Sequence, residues 1–342
     1  MQSSDWDLPP PPVPPVTAAS PWRVVIAMAI AAALVAGAFM VPIPVFFLYV
    51  PGPVRDVEKL VEVDDAKTYS SEGQLFLTTV NVRTTVTLVD LIGAGVDPHK
   101  DVVMKEEVTQ GQTFREVREQ AELEMRESKQ AARQTAFAAL GLPAGEGARV
   151  VETVPDSPGG VLLREGDRVV AVDGEEMSTA CDVQQAIAER AAGDVVRMTI
   201  VRDGKRETIP IETIDHPAQQ DFAFVGISMA DVLGDSVPVT FKTGEIAGPS
   251  AGLMFSLALY DRLTPDDLTQ GRKIAGTGTI GCGGVVGAIG GVEEKVAGAE
   301  RAGAEIFLAP ELNYEAAREA AGDIEVVSVR TFDEALEYLE GL

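Results

Sequence analysis

From Val24 to Val41 the chain reads VVIAMAIAAALVAGAFMV. These are about 18 residues without a charge, enough to cross the hydrocarbon core of a bilayer as one helix. Lipid offers no partner for a free N–H or C=O, so a stretch placed there must satisfy its backbone internally. The apolar run continues past Pro42 and Pro44 to Val50. It is too long for the apolar region of an ordinary signal peptide, although AGAF around Ala36 carries the small residues of a cleavage site. The expectation is a membrane anchor over residues 23–50, with the helix ending at the two prolines. Trp22 and Tyr49 suit its two interfaces. Arg23 on one side and Arg55 and Lys59 on the other leave the positive-inside rule undecided. Residues 1–22, MQSSDWDLPPPPVPPVTAASPW, read as an extended proline-rich spacer.

The rest of the 342 residues suffices for two or three domains. A net charge of -25 argues against nucleic acid and anionic surfaces as partners, since both repel an acidic body. Cys181 and Cys282 are far apart and in no C-x-x-C pair, which speaks against zinc. They read as two free, buried thiols; a disulfide is open only for a body outside the cytoplasm. Nothing in the chain asks for a metal or another cofactor.

Residues 51–140 read as an α/β region. QLFLTTVNVRTTVTLVDLI, Gln74 to Ile92, is β-branched and strand-like. The charged, alanine-rich stretch from Thr113 is a helix stopped by Gly141. From 141 to 214 the order changes to strand (ARVVETV), turn (PDSPGG), strand (REGDRVVAVDGEEM), short helix (DVQQAIAER) and a hairpin about Asp203–Gly204. This order, and GDRVVAVDG most of all, resembles a PDZ domain. The resemblance implies a groove that takes a polypeptide as an added strand. It places the carboxylate-binding loop at GLPAGEG, with Gly141, Leu142 and Gly147, in a sequence that departs from the Gly-Leu-Gly-Phe type. A PDZ-like spacer that only packs on its neighbour is the alternative.

Residues 215–342 hold the chemistry. VPVTFKTGEIAGPSAG leads a strand through a glycine-rich turn to Ser250. Pro249 suits a helix start, and the amides beyond it gather positive charge that suits an oxyanion. Gly248 and Gly252 leave room for a substrate backbone, beside Ala251. A capping serine without chemistry is the plain alternative. The chain has two histidines, His99 and His216, and neither sits in a triad-like motif. Lys295, among Val292, Val296, Ala297 and Ala299, can act as base if burial lowers its pKa. Glu293 and Glu294 are expected to face away from it. Lys242 and Lys273 are weaker rivals. GTGTIG, Gly276 to Gly281, matches a dinucleotide fingerprint but runs into CGGVV rather than a helix.

GPSAG followed by AGTGTIGCGGVVGAIGGVEEKV is similar to the proteolytic domain of Lon-type Ser-Lys proteases. The resemblance gives Ser250 the role of nucleophile, Lys295 that of base, and Thr277 that of holding the lysine. One departure bears on how the serine loop is held: the acidic residue many members carry before the glycine is Ala247 here, with Glu245 the nearest acid. No G-x-x-x-x-G-K-[ST] occurs, so hydrolysis without ATP is expected. Anchor, PDZ-like module and Lon-like domain together resemble membrane-anchored bacterial Lon-like proteases. That resemblance implies an α+β multidomain chain: a transmembrane helix, an α/β juxtamembrane region, a PDZ-like β-barrel module and a Lon-type α/β proteolytic domain. It further implies an extracytoplasmic body, polypeptide substrates from the membrane or envelope, and hexameric assembly. A C-terminal-processing Ser-Lys protease and a non-catalytic scaffold are the alternatives.

Overall fold

The computed structural model describes residues 21–217, 219–232, 234 and 237–342; residues 1–20, most of the proline-rich spacer, lie outside the described residues. Helix α1, Pro21–Phe39, is exposed along its length, with a mean hydropathy of 2.0. It is long and apolar enough to cross a membrane. It ends before Pro42, so the expected anchor of 23–50 is too long. Phe46–Pro51 is instead strand β1, the centre of an antiparallel three-stranded sheet. Phe47, Leu48 and Val50 are buried in that sheet's packing. Hydropathy alone cannot separate a buried strand from the tail of an apolar helix. Tyr49 therefore sits in β1 between Val82 and Asp101, not at a membrane interface.

The chain continues through β2 (Arg55–Asp56), β3 (Val61–Val63), β4 (Gln74–Leu77) and β5 (Val80–Arg83). The stretch read as strand to Ile92 turns helical at α2 (Leu88–Ala94), because Thr87 and Asp90 form a reciprocal capping box. After β6 (Asp101–Met104) and α3 (Lys105–Thr109) comes α4 (Phe114–Ala139). Thr113 and Glu116 cap its start, and Met125, Ser128, Ala132 and Ala136 line its buried stripe.

The next unit comprises β7 (Ala148–Thr153), α5 (Pro158–Leu162), β8 (Arg168–Val172), β9 (Glu175–Glu176), α6 (Ala180–Ala188), β10 (Val195–Arg202) and β11 (Lys205–Glu212). Asp173–Gly174 and Asp203–Gly204 both have positive φ, as tight hairpin turns require. The sheet runs on past the expected end at 214. A hairpin of β12 (Ile214–His216) and β13 (Gln219–Phe224) leads to β14 (Ile227–Asp231), which pairs with β7 and completes the sheet β11-β10-β8-β7-β14. Val150, Val169, Met198, Ile200 and Ile211 form its core.

The remaining elements are β15 (Val239–Phe241), α7 (Gly252–Leu263), β16 (Lys273–Gly276), β17 (Thr279–Ile280), β18 (Val286–Gly287), α8 (Val292–Arg301), β19 (Ile306–Pro310), α9 (Tyr314–Ala320), β20 (Glu325–Val329) and α10 (Phe332–Glu340). They do not form a body by themselves. β16 lies between β4 and β19 in a sheet of order β2-β4-β16-β19-β20, and β15 pairs with β3. One hydrophobic core joins Val57, Leu75 and Leu77 to Leu253, Phe255 and Ile306. The expected division into a separate 51–140 region and a 215–342 domain is thus replaced by one fold made from both. The β7–β14 unit is inserted into it. Cys181 on α6 is disulfide-bonded to Cys282, across 101 residues, which corrects the expectation of two free thiols. Packing of the inserted unit onto the β17–β18 turn brings the two Cα atoms to 5.4 Å, a proximity their spacing in sequence hides.

Candidate active site

Ser250 stands in a turn at the foot of α7. The helix begins at Gly252, with Ala251 as its N-cap, so Pro249 precedes the helix rather than opening it. Gly248 has φ 91, a left-handed value that favours glycine. A Cβ on Gly252 would meet the Ile280 backbone nitrogen at 2.9 Å; the glycine lets α7 lie against β17. The Ser250 carbonyl accepts from the Gly278 amide at 2.9 Å and the Thr277 hydroxyl at 3.1 Å.

Lys295 lies on the first turns of α8, 3% exposed. Its Nζ is 2.9 Å from Ser250 Oγ and 2.9 Å from Thr277 Oγ1. The Thr277 proton is committed to the Ser250 carbonyl, so its oxygen accepts from the amine. A neutral amine with one N–H spent there keeps a lone pair for the serine proton. Burial brings Lys295 down from its ordinary 10.5 to about 8, against an upward pull from Glu294. Glu294 exerts that pull from a buried position, 1% exposed. Burial, and then the charges of Glu293 and Asp101, push its own carboxyl up.

A cleft of about 800 Å³ opens over the pair. One wall is Leu77 to Val82, with Tyr49 beside it; the other is Lys242 to Gly248. Among the described residues, β5 pairs only with β1. Tyr49 in this wall was missed because it was assigned to the anchor. Lys242, the first rival base, reaches the cleft but is bonded to Glu62. Lys273 is exposed at the start of β16. His99 contacts Asp97, and His216 packs edge-on against Phe224. Among the described residues no group of three or more His, Cys, Asp or Glu could hold a metal ion.

Of the expected peptide-binding residues, Gly141 and Leu142 line a cavity of about 560 Å³ with Glu146, Arg168 and Met177, while Gly147 is not in its lining. Gly141 (φ 66) follows the end of α4, and the Leu142 amide closes onto the Phe137 carbonyl. Gly147 allows close passage over Val169, whose oxygen is 2.3 Å from where a Cβ would stand. A cavity of about 360 Å³ lies elsewhere, between α6 (Ala180, Gln184, Ile187) and the segment from Phe222 to Met229. Its strand β14 is the last in the sheet. The strand that borders the helix comes at the end of the unit, not at its beginning. The glycine of FVGIS, with φ 82 at Gly226, was the available signal.

Residues 242–339 match the family model of the Lon protease (S16) C-terminal proteolytic domain, and residues 92–213 that of the PDZ domain. Lon protease 2 of Bacillus subtilis (strain 168) is 35% identical over 104 residues, 30% of this chain and 18% of that protein. The Lon protease of Roseiflexus castenholzii (strain DSM 13941 / HLO8) is 41% identical over 93 residues, 26% of this chain and 11% of that protein. A probable periplasmic serine endoprotease DegP-like of Rhizobium meliloti (strain 1021) is 31% identical over 139 residues, 40% of this chain and 24% of its own length. The chain therefore spans 11% to 24% of these relatives. It carries a PDZ domain followed by a Lon-type (S16) C-terminal proteolytic domain.

Proposed function

We propose that this chain is a membrane-anchored serine endopeptidase that works without ATP, with Ser250 as nucleophile and Lys295 as general base. The carrying observation is the 2.9 Å contact between a deeply buried amine and the serine hydroxyl. Neutral Lys295 takes the hydroxyl proton as Oγ attacks a peptide carbonyl. The oxyanion forms beside the Ala251 amide, at the positive end of α7. The ammonium then gives its proton to the leaving amine. Water, deprotonated by the same amine, hydrolyses the acyl-enzyme, and the proton returns to Ser250.

Polypeptide recognition is supported by two unpaired strand edges, β5 beside the serine and β14 beside α6. α1 supports a membrane anchor. The Cys181–Cys282 bond supports a body outside the cytoplasm, since such bonds persist in oxidising compartments. Independence from ATP is supported by the absence of a phosphate-loop motif from these 342 residues. The full chain in detergent, without ATP, is expected to digest casein, while Ser250→Ala and Lys295→Met are expected to fall at least a hundredfold. Equal digestion by the parent and Ser250→Ala would place the activity elsewhere, and no digestion by any of them would leave a binding scaffold.

A further inference from the structure

The serine loop lacks the acidic residue before its glycine, with Ala247 in that place, yet it is held at both ends by one helix. At its start, Lys129 Nζ on α4 donates to the Phe241 carbonyl at 3.2 Å and to Thr243 Oγ1 at 2.8 Å. At its end, Ser128 Oγ donates to the Pro249 carbonyl at 2.9 Å, and the Gly248 amide donates to the Ala121 carbonyl at 2.9 Å. Between these points the loop contains Gly244 and Gly248, both with positive φ. Such a segment has little stiffness of its own. The Pro249 carbonyl is one peptide unit from the nucleophile. α4 is not part of the shared core sheet. It precedes the inserted unit and continues into it, where Gln130 Nε2 donates to Asp231 at the end of β14, at 2.7 Å.

We propose that Ser128 and Lys129 are positioning residues for Ser250, and that α4 is the brace the serine loop otherwise lacks. This rests on the nucleophilic role given to Ser250 above. Neither side chain touches the reacting atoms; each fixes the backbone that presents them. A displacement of the nucleophile by about 1 Å costs a reaction up to a hundredfold in rate.

The test uses the full chain in detergent with a fluorogenic peptide. Ser128→Ala and Lys129→Met are expected to lower kcat about ten- to a hundredfold with KM changed less than threefold. The pH at which activity rises stays where it is in the parent, because Lys295 and Thr277 keep their contacts. Lys129→Arg, which keeps a cationic donor, is expected to recover kcat to within about threefold of the parent. Amide exchange at Gly248 should accelerate at least tenfold in Ser128→Ala and Lys129→Met, a readout independent of catalysis. If Lys129→Met does not fold, Thr243→Val removes a single acceptor and replaces it. Parental kcat and parental exchange in the variants, alongside Ser250-dependent turnover in the parent, overturn the brace alone. Faster exchange with no Ser250-dependent turnover in the parent overturns the role of Ser250 and leaves the brace as a structural hold.

Discussion

At the scale of single residues, the site is governed by how little water reaches one amine. Lys295 titrates at about 8 in the fold and at its ordinary 10.5 in the unfolded chain. Between those values the unfolded chain holds the extra proton, so stability rises with pH across that window. Below about 8 both states carry the charge, and the folded ammonium costs about 3 kcal/mol through burial. The proposed mechanism needs the neutral form. We expect kcat/KM to climb with pH and level off above about 8, standing roughly a hundredfold lower at pH 6. A rate flat from pH 6 to 9 would remove Lys295 as the base. Ser250 and Lys295 are singled out in the sequence through the resemblance carried by GPSAG and GGVEEKV; on local pattern alone the serine reads equally well as a helix cap. The burial of Glu294 is not legible there. Helical spacing turns it away from Lys295, but nothing in the local pattern says that β1 and β6 cover that side of α8 as well.

At the scale of elements, local chemistry was readable and partnership was not. The Asp-Gly turns and the capped, charged helix α4 follow from turn and cap residues alone. Phe46–Pro51 did not, since its apolar residues read equally well as the end of the anchor. The brace role of α4 was hidden too, because a helix of alternating charges reads as solvated whichever partner its narrow stripe meets. The contact between α7 and β17 shows how tight such partnerships are. A Cβ on Gly252 would stand 2.9 Å from a backbone nitrogen and 3.0 Å from Ser128 Oγ. Gly252→Ala must therefore move the foot of α7, and with it the serine. We expect a loss of about 1–3 kcal/mol in stability and a larger proportional loss in kcat. Thermal melts and turnover of the same sample check it; a variant with both values unchanged would show that α7 and β17 have slack.

At the scale of the whole molecule, the organising fact is insertion. Strands from both sides of the PDZ unit share one sheet, so the order of domains along the sequence is not their order in space. No local pattern reports a pairing between β4 and β16 across some 200 residues. The inserted unit is held by α4, by Asp231, which takes the Ala180 amide at 2.6 Å and Gln130 at 2.7 Å, and by the Cys181–Cys282 bond. The covalent link closes a long loop, worth up to about 5 kcal/mol in the chain-entropy description. Each cysteine also sits in an element with its own packing, and α4 remains when the bond is cut. Reduction should therefore loosen the docking of the PDZ unit rather than unfold the catalytic body. We expect dithiothreitol to lower the melting temperature by several degrees and to expose the β11–β14 connection, which carries Phe222 and Phe224, to added chymotrypsin. A Cys181→Ser/Cys282→Ser variant should behave like the reduced parent and ignore the reductant. If the parent and this variant melt and digest alike without reductant, the remaining contacts alone fix the unit. The bond would then matter for the compartment in which the protein folds, not for the stability of the folded state.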